Sequence, residues 1–170
     1  YAAAAHIGWA HLDSIVLIPS VVAGARNEGI PVIASGGYCD GASLVAALAL
    51  GADGVEIGTR FMCSKEADYH PNIKELVTKV GVLDTTIIAG MMTDMRVYDN
   101  KFARFLKEKA MGRTEEEISS NEPELKREML EMEVRGLWEQ QKTGDLENSL
   151  IPMGQVAGRI TEVLSCEEII

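Results

Sequence analysis

A parallel α/β fold is predicted by three observations. Two segments, Ile30-Pro-Val-Ile-Ala-Ser-Gly-Gly37 and Ala52-Asp-Gly-Val-Glu-Ile-Gly-Thr-Arg60, each run from a short β-branched apolar stretch into glycine. The stretches Ile30–Ala34 and Gly54–Ile57 are not broken by alternating polar residues, which is the pattern of strands covered on both faces, and such strands belong to parallel sheets. A single helix-length segment lies between them, so together they read as a βαβ unit.

Each element has a local reason. Asp40 can cap the connecting helix, Ser43, Leu44, Ala46, Ala47, Leu48 and Leu50 supply mostly small and apolar side chains, and Gly51 tolerates the left-handed geometry that ends it. Gly36 and Gly37 lack the Cβ atoms that would block close backbone approach, and Gly58-Thr59 repeats the device one strand later with a hydroxyl added. Amides exposed at two neighbouring strand ends form a phosphate cradle. In a (β/α)8 barrel, late strands hold a cofactor phosphate between such loops and a short extra helix, here expected at Arg60–Ser64. Glycine pairs also serve in plain tight turns, but two pairs on adjacent strands favour the cradle.

Beyond these strands, Thr85–Ala89 reads as a further strand and Val97–Thr143 as a charge-dense helical segment. Phe102, Phe105 and Leu106 fall on one face beside Lys101, Arg104, Lys107 and Lys109, the pattern of an amphipathic helix packed on the strands. Thr114 with Glu117 spells a capping box, and Asn121-Glu-Pro123 begins another helix. Leu125, Met129, Met132 and Leu137 recur there at helical spacing with Trp138 beside the last; packing explains them better than a substrate lid does. Met91 and Met92, in the loop after Thr85–Ala89, fit a substrate pocket and simple packing equally well.

Composition excludes several classes. The formal charge of −10 argues against nucleic acid, whose footprint is a basic face. Cys39, Cys63 and Cys166 form no paired framework, no metal-ligand spacing is visible, and neither a secretory signal nor a membrane-length apolar span occurs. A reducing cytoplasm is therefore expected. Cys39 follows the glycines closely, but with no base beside it in sequence it reads as a loop residue rather than a nucleophile.

The stretch from Ile30 to Phe61 resembles the C-terminal signature of the nitronate monooxygenases, also called 2-nitropropane dioxygenases, which are FMN enzymes. Their superfamily includes the FMN-dependent enoyl-acyl-carrier-protein reductases of type II. Arg96–Arg104, Gly154-Gln-Val-Ala-Gly158 and the tail Ser165–Ile170 resemble further landmarks, so the likeness runs over nearly the whole chain. It implies FMN held by Ser35, Gly36, Gly37, Glu56, Ile57, Gly58 and Thr59, with Gln155 on a loop returning toward the flavin. In Tyr1-Ala-Ala-Ala-Ala-His-Ile-Gly8, His6 and Gly8 match the family's Gly-Gly-His-Xaa-Gly motif, while Ala4 and Ala5 stand where glycines approach the flavin. The resemblance makes His6 the catalytic proton handler.

The implied fold is the C-terminal part of an FMN-binding (β/α)8 TIM barrel with a helical C-terminal insert. A full barrel takes about 250 residues, and this chain has 170. On the family's pattern a strand end near the start, Ile30–Ala34, Gly54–Ile57 and Thr85–Ala89 would be the fifth to eighth strands, and the missing N-terminal half of the barrel is an expected partner because a half barrel leaves open edges. The expected division is barrel and phosphate site over 1–96, helical insert over 97–150, and return loop with terminal helix over 151–170. The implied activity is oxidation of alkyl nitronates or nitroalkanes with dioxygen to carbonyl compounds and nitrite. Two alternatives stay open: an NAD(P)H- and FMN-dependent enoyl-acyl-carrier-protein reductase, which the acidic charge disfavours because its carrier partner is itself acidic, and a non-catalytic flavin-binding or structural half barrel. The amphipathic helices suit a homodimer contact and the barrel's own surface alike.

Overall fold

The computed structural model describes residues 12–91 and 94–170. Strands β1 (Ile33–Ser35) and β2 (Gly54–Glu56) pair in parallel, with Ile33 opposite Gly54 and Ser35 opposite Glu56. Helix α2 (Gly41–Ala49) connects them. It is closed at its start by a reciprocal capping box in which the Ser43 amide donates to Asp40 Oδ1 at 2.8 Å while Ser43 Oγ accepts from the Asp40 amide at 3.1 Å. At its end, Gly51 turns the chain at φ 95°. The expected βαβ unit is present, with β1 shorter than Ile30–Ala34.

Helix α1 (Ser14–Ala25) lays Ile18 and Val22 on this unit, where they join Ala34, Tyr38, Ala47 and Ala52 in one cluster. The expectation of strands covered on both faces is corrected here. Ala34 is buried under α1 and α2, but Ile33, pointing the other way along the pleat, is 57 % exposed. An isoleucine there reads as buried in sequence because composition registers side-chain type and not what stands opposite.

A second correction concerns Thr85–Ala89. Strand β3 (Thr85–Ile88) pairs antiparallel with β4 (Met95–Tyr98), Thr85 opposite Tyr98 and Ile88 opposite Met95, and the two form a sheet separate from β1–β2. It is therefore no further strand of the parallel pair. The short connection to β4 is below the dozen or so residues a parallel crossover needs, so β3 and β4 pair antiparallel, and it is that pairing which takes β3 out of the β1–β2 sheet. The helical segment expected from Val97 accordingly starts later, at α5 (Lys101–Ala110), where Asn100 Oδ1 accepts the Ala103 amide at 2.9 Å.

Helices α6 (Glu115–Asn121) and α7 (Pro123–Lys142) follow, with the Thr114–Glu117 capping box in place and Pro123 opening α7 as expected. Met129 is fully buried with Met91, Ala110 and Ile118, Leu125 packs against that cluster, and Met132 and Leu137 pack against a second one formed by Ile88, Met95, Val97, Ala103, Leu106 and Leu150. Phe105, expected on the buried face of α5, is instead largely exposed, with the Lys109 ammonium 5.9 Å from its ring centroid. The buried stripe of that helix is Ala103, Leu106 and Ala110, spaced at three and four residues.

The chain then returns. Asn100 Nδ2 donates to the carbonyls of Leu146 and Ser149 at 2.7 and 2.8 Å, and the segment that follows runs beside β4, with Tyr98 N–H donating to Ile151 O at 2.9 Å and Met153 N–H to Arg96 O at 3.2 Å. Ile151, Met153 and Ala157 enter a core with Cys63 of the next segment after helix α3 (Thr59–Met62) and with Ile73 and Val77 of helix α4 (Pro71–Val77). That core carries residues 154–155 back to the end of β2. The tail helix α8 (Cys166–Ile169) is anchored by Lys65 Nζ to Glu168 at 2.8 Å.

Candidate functional site

Parallel strands in register must end side by side, so the turns after Ser35 and Glu56 are neighbours. Gly36 and Gly37 take φ 95° and 87°, the left-handed region that a Cβ disfavours. Among the described residues, the amides of Gly36, Gly37, Gly58 and Thr59 have no hydrogen-bond acceptor. A Cβ built on Gly58 would meet nothing within 4 Å. Free donors beside open space are what an anion requires.

The return loop joins this corner through one hydroxyl. Buried Thr59 accepts the Gly154 amide on Oγ1 at 3.0 Å, which fixes Gln155, the first residue of the 3-10 turn Gln155–Arg159, next to α3. The structure thus gathers Ser35, Gly36, Gly37, Glu56, Ile57, Gly58, Thr59 and Gln155 around two strand ends. His6 lies outside the described residues. The short extra helix is displaced from the expected Arg60–Ser64 to Thr59–Met62, and Arg60 is buried within it.

The burial of Arg60 beside these turns in chain order is the feature that sequence reading missed. Arg60 looks like a surface cation on a short helix, and nothing local signals its burial. Charge is otherwise paired here: Arg159 bonds Asp40, whose carboxyl is held below the usual range first by the hydrogen bonds from Ser43 and then by Arg159. The Cys39 thiol is buried, and burial, then Asp40, pushes its pKa up, so it is held as the neutral thiol that a loop residue requires. A pocket of about 480 Å³ lined by Val22, Arg26, Gly29, Val32 and Asp53 opens at the other end of the strands, the face that serves stability in α/β barrels.

Met91 is buried, which resolves its two sequence readings toward packing; Met92 lies outside the described residues. The Met91 amide donates to both carboxylate oxygens of Glu133, at 2.9 and 3.1 Å, and that glutamate is 2 % exposed. Burial outweighs that bond and lifts Glu133 to about 7. The folded state therefore binds a proton that the unfolded chain releases above about 4.5, so stability falls as pH rises from there through 7. Urea titrations of Glu133→Gln and of the native chain at pH 5 and pH 8 are expected to show about 2–3 kcal/mol less pH loss in the variant. Parallel pH dependence in the two proteins would show Glu133 to be ionised throughout.

Among the described residues no cluster of three or more His, Cys, Asp or Glu is gathered for a metal, and no helix is long and apolar enough to cross a membrane.

Comparison with known proteins bears on this corner. A sequence model of the nitronate monooxygenase family matches residues 2–170. The chain belongs to the nitronate monooxygenase family. Among solved structures, FabK from Thermotoga maritima superposes with TM-score 0.78 at 35 % identity, over 98 % of this chain and 49 % of its own. The nitroalkane oxidase of Streptomyces ansochromogenes superposes with TM-score 0.65 at 25 % identity, over 98 % and 46 %. A curated relative, the (3aS,4S,5R,7aS)-5-hydroxy-7a-methyl-1-oxo-octahydro-1H-indene-4-carboxyl-CoA dehydrogenase of Mycobacterium tuberculosis, is 29 % identical over 91 % of this chain and 52 % of its own length. Nitronate monooxygenase npaC of Metarhizium robertsii is 50 % identical over 32 % of this chain and 15 % of its own. The chain spans about half the length of the relatives that cover it most fully. The family assignment and the superpositions agree with the α/β fold described above.

Proposed function

We propose that this chain carries the phosphate-gripping half of an FMN-dependent nitronate monooxygenase that oxidises alkyl nitronates or nitroalkanes with dioxygen to carbonyl compounds and nitrite. One observation carries the reading: two glycine turns end adjacent parallel strands in register, and their amides have no acceptor among the described residues. The residues fit the group, because left-handed glycines, open space at Gly58 and spare donors are what a dianionic phosphate demands. When bound, FMN supplies the electron transfer between the carbon bearing the nitro group and dioxygen.

The chain's own residues would then position and handle protons. Gly36, Gly37, Gly58 and Thr59 hold the phosphate, Glu56 and Ile57 offer backbone contacts, and Gln155, tied in through Thr59, faces the ring or substrate. His6 takes the proton from the carbon beside the nitro group, or as imidazolium holds a substrate that is already a nitronate. On this reading the exposed Ile33 face receives the other half of the barrel.

The higher structural likeness to FabK supports a second reading, reduction of an enoyl thioester with NAD(P)H. Spectroscopy of the full-length protein separates them. A yellow protein whose flavin is bleached anaerobically by a nitronate without NAD(P)H supports the monooxygenase; bleaching by NAD(P)H alone transfers the assignment to the reductase. A protein that binds no flavin is left as a structural half barrel.

A substitution tests the cradle itself. Gly58→Ala adds a methyl that meets no protein atom, so its melting temperature without flavin is expected to match the native value, with stability changed by less than about 0.5 kcal/mol. Its FMN affinity is expected to fall at least about tenfold. Native affinity would move the phosphate away from this turn.

A further inference from the structure

Arg60 is 5 % exposed, and among the described residues its Nε and Nη2 have no hydrogen-bond partner. Burial strips a guanidinium of water, and an unmatched one destabilises the fold unless an acceptor meets it. Among the described residues none is offered nearby. Asp40 is taken by Arg159 and Ser43, Thr59 Oγ1 already accepts the Gly154 amide, and the exposed Glu56 makes no ion pair with Arg60. The thiols within reach of its charge, Cys39 and Cys63, are both kept neutral by burial.

Its placement points to the missing acceptor. Arg60 follows Gly58-Thr59 directly in the short helix α3, and its buried charge reaches the Cys39 thiol, two residues past Gly37, as well as Cys63, so it sits one residue beyond one glycine turn and within electrostatic reach of the segment after the other. Amide cradles bind a dianion through partial charges only, and a full positive charge with a forked donor geometry completes the match to a phosphate monoester.

We propose that Arg60 is the charge partner of the phosphate held by the glycine turns, and that it makes the site select FMN over the unphosphorylated riboflavin. This rests on the FMN reading above. It adds a specificity-determining side chain to a site otherwise built from backbone.

Flavin titrations of the full-length native protein, Arg60→Met and Arg60→Lys, followed by flavin fluorescence, test it with inorganic phosphate as competitor. Arg60→Met is expected to bind FMN about 10- to 100-fold more weakly, the scale of a lost charge-assisted pair, with riboflavin affinity unchanged. Arg60→Lys should regain part of the loss, since it restores the charge without the fork. Inorganic phosphate should displace FMN from the native protein at the same subsite. Without flavin, Arg60→Met should melt no lower than the native chain, because it discards an unpaired buried charge. An unchanged ratio of FMN to riboflavin affinity, phosphate that binds without displacing FMN, or a flavin-free Arg60→Met chain less stable than native would each overturn the role of Arg60 alone. A native protein that binds neither flavin overturns the FMN reading itself.

Discussion

Replacing His6 by Ala is expected to lower turnover of a neutral nitroalkane about 10²–10⁴-fold, the range for loss of a general base. The proton beside a nitro group leaves only if something near it accepts it, and a free imidazole, with an ordinary pKa of about 6.5, is mostly in its neutral, proton-accepting form near neutrality. The native rate on neutral nitroalkane should therefore fall as pH drops below about 6.5, while the variant's residual rate should lose that limb. A preformed nitronate needs no deprotonation, so its turnover should suffer much less in the same variant. Native turnover of both substrates in His6→Ala would remove the imidazole from the site, and equal losses on both would make it an anion-binding group and not a base.

Gly158→Ala is expected to cost about 3 kcal/mol of stability, with a melting temperature lower by about 6–12 °C. A Cβ at this position would lie 2.3 Å from the Val82 amide nitrogen and 2.7 Å from the Gly81 carbonyl carbon, and backbone cannot yield as a flexible side chain can. The 3-10 turn Gln155–Arg159 would have to move off the loop after α4, carrying Gly154 away from Thr59. Flavin affinity should therefore drop along with stability. Gly24→Ala, whose added methyl meets nothing within 4 Å, is the control and should keep the native melting temperature or exceed it. A Gly158→Ala chain as stable as this control would mean that the return segment is not seated against Gly81–Val82.

Much of this corner was legible from residue order because its causes are local. Asp40 and Ser43 lie three positions apart and cap each other, Thr114 and Glu117 do the same, and Gly36, Gly37 and Gly51 stand where the backbone turns left-handed. Each depends on a few neighbouring φ/ψ angles and one side-chain reach, all set within a turn. Thr85–Ile88 was misread because a β-branched run has the same composition in a parallel barrel and in a hairpin, and only its partner, Met95–Tyr98, distinguishes them. Arg60 was overlooked because burial belongs to the surroundings of a side chain and not to its type.

By itself, then, the order of residues settled the βαβ unit, its caps and the glycines at its strand ends, since those follow from propensities acting over a few bonds. Tertiary structure alone decided that Thr59 would accept the Gly154 amide, that Arg60 would be buried with Nε and Nη2 lacking an acceptor among the described residues, and that Glu133 would meet Met91. Contacts between residues 42 and 95 positions apart depend on how separate elements pack around a shared interior, and desolvation acts on a charge only once that packing has closed over it.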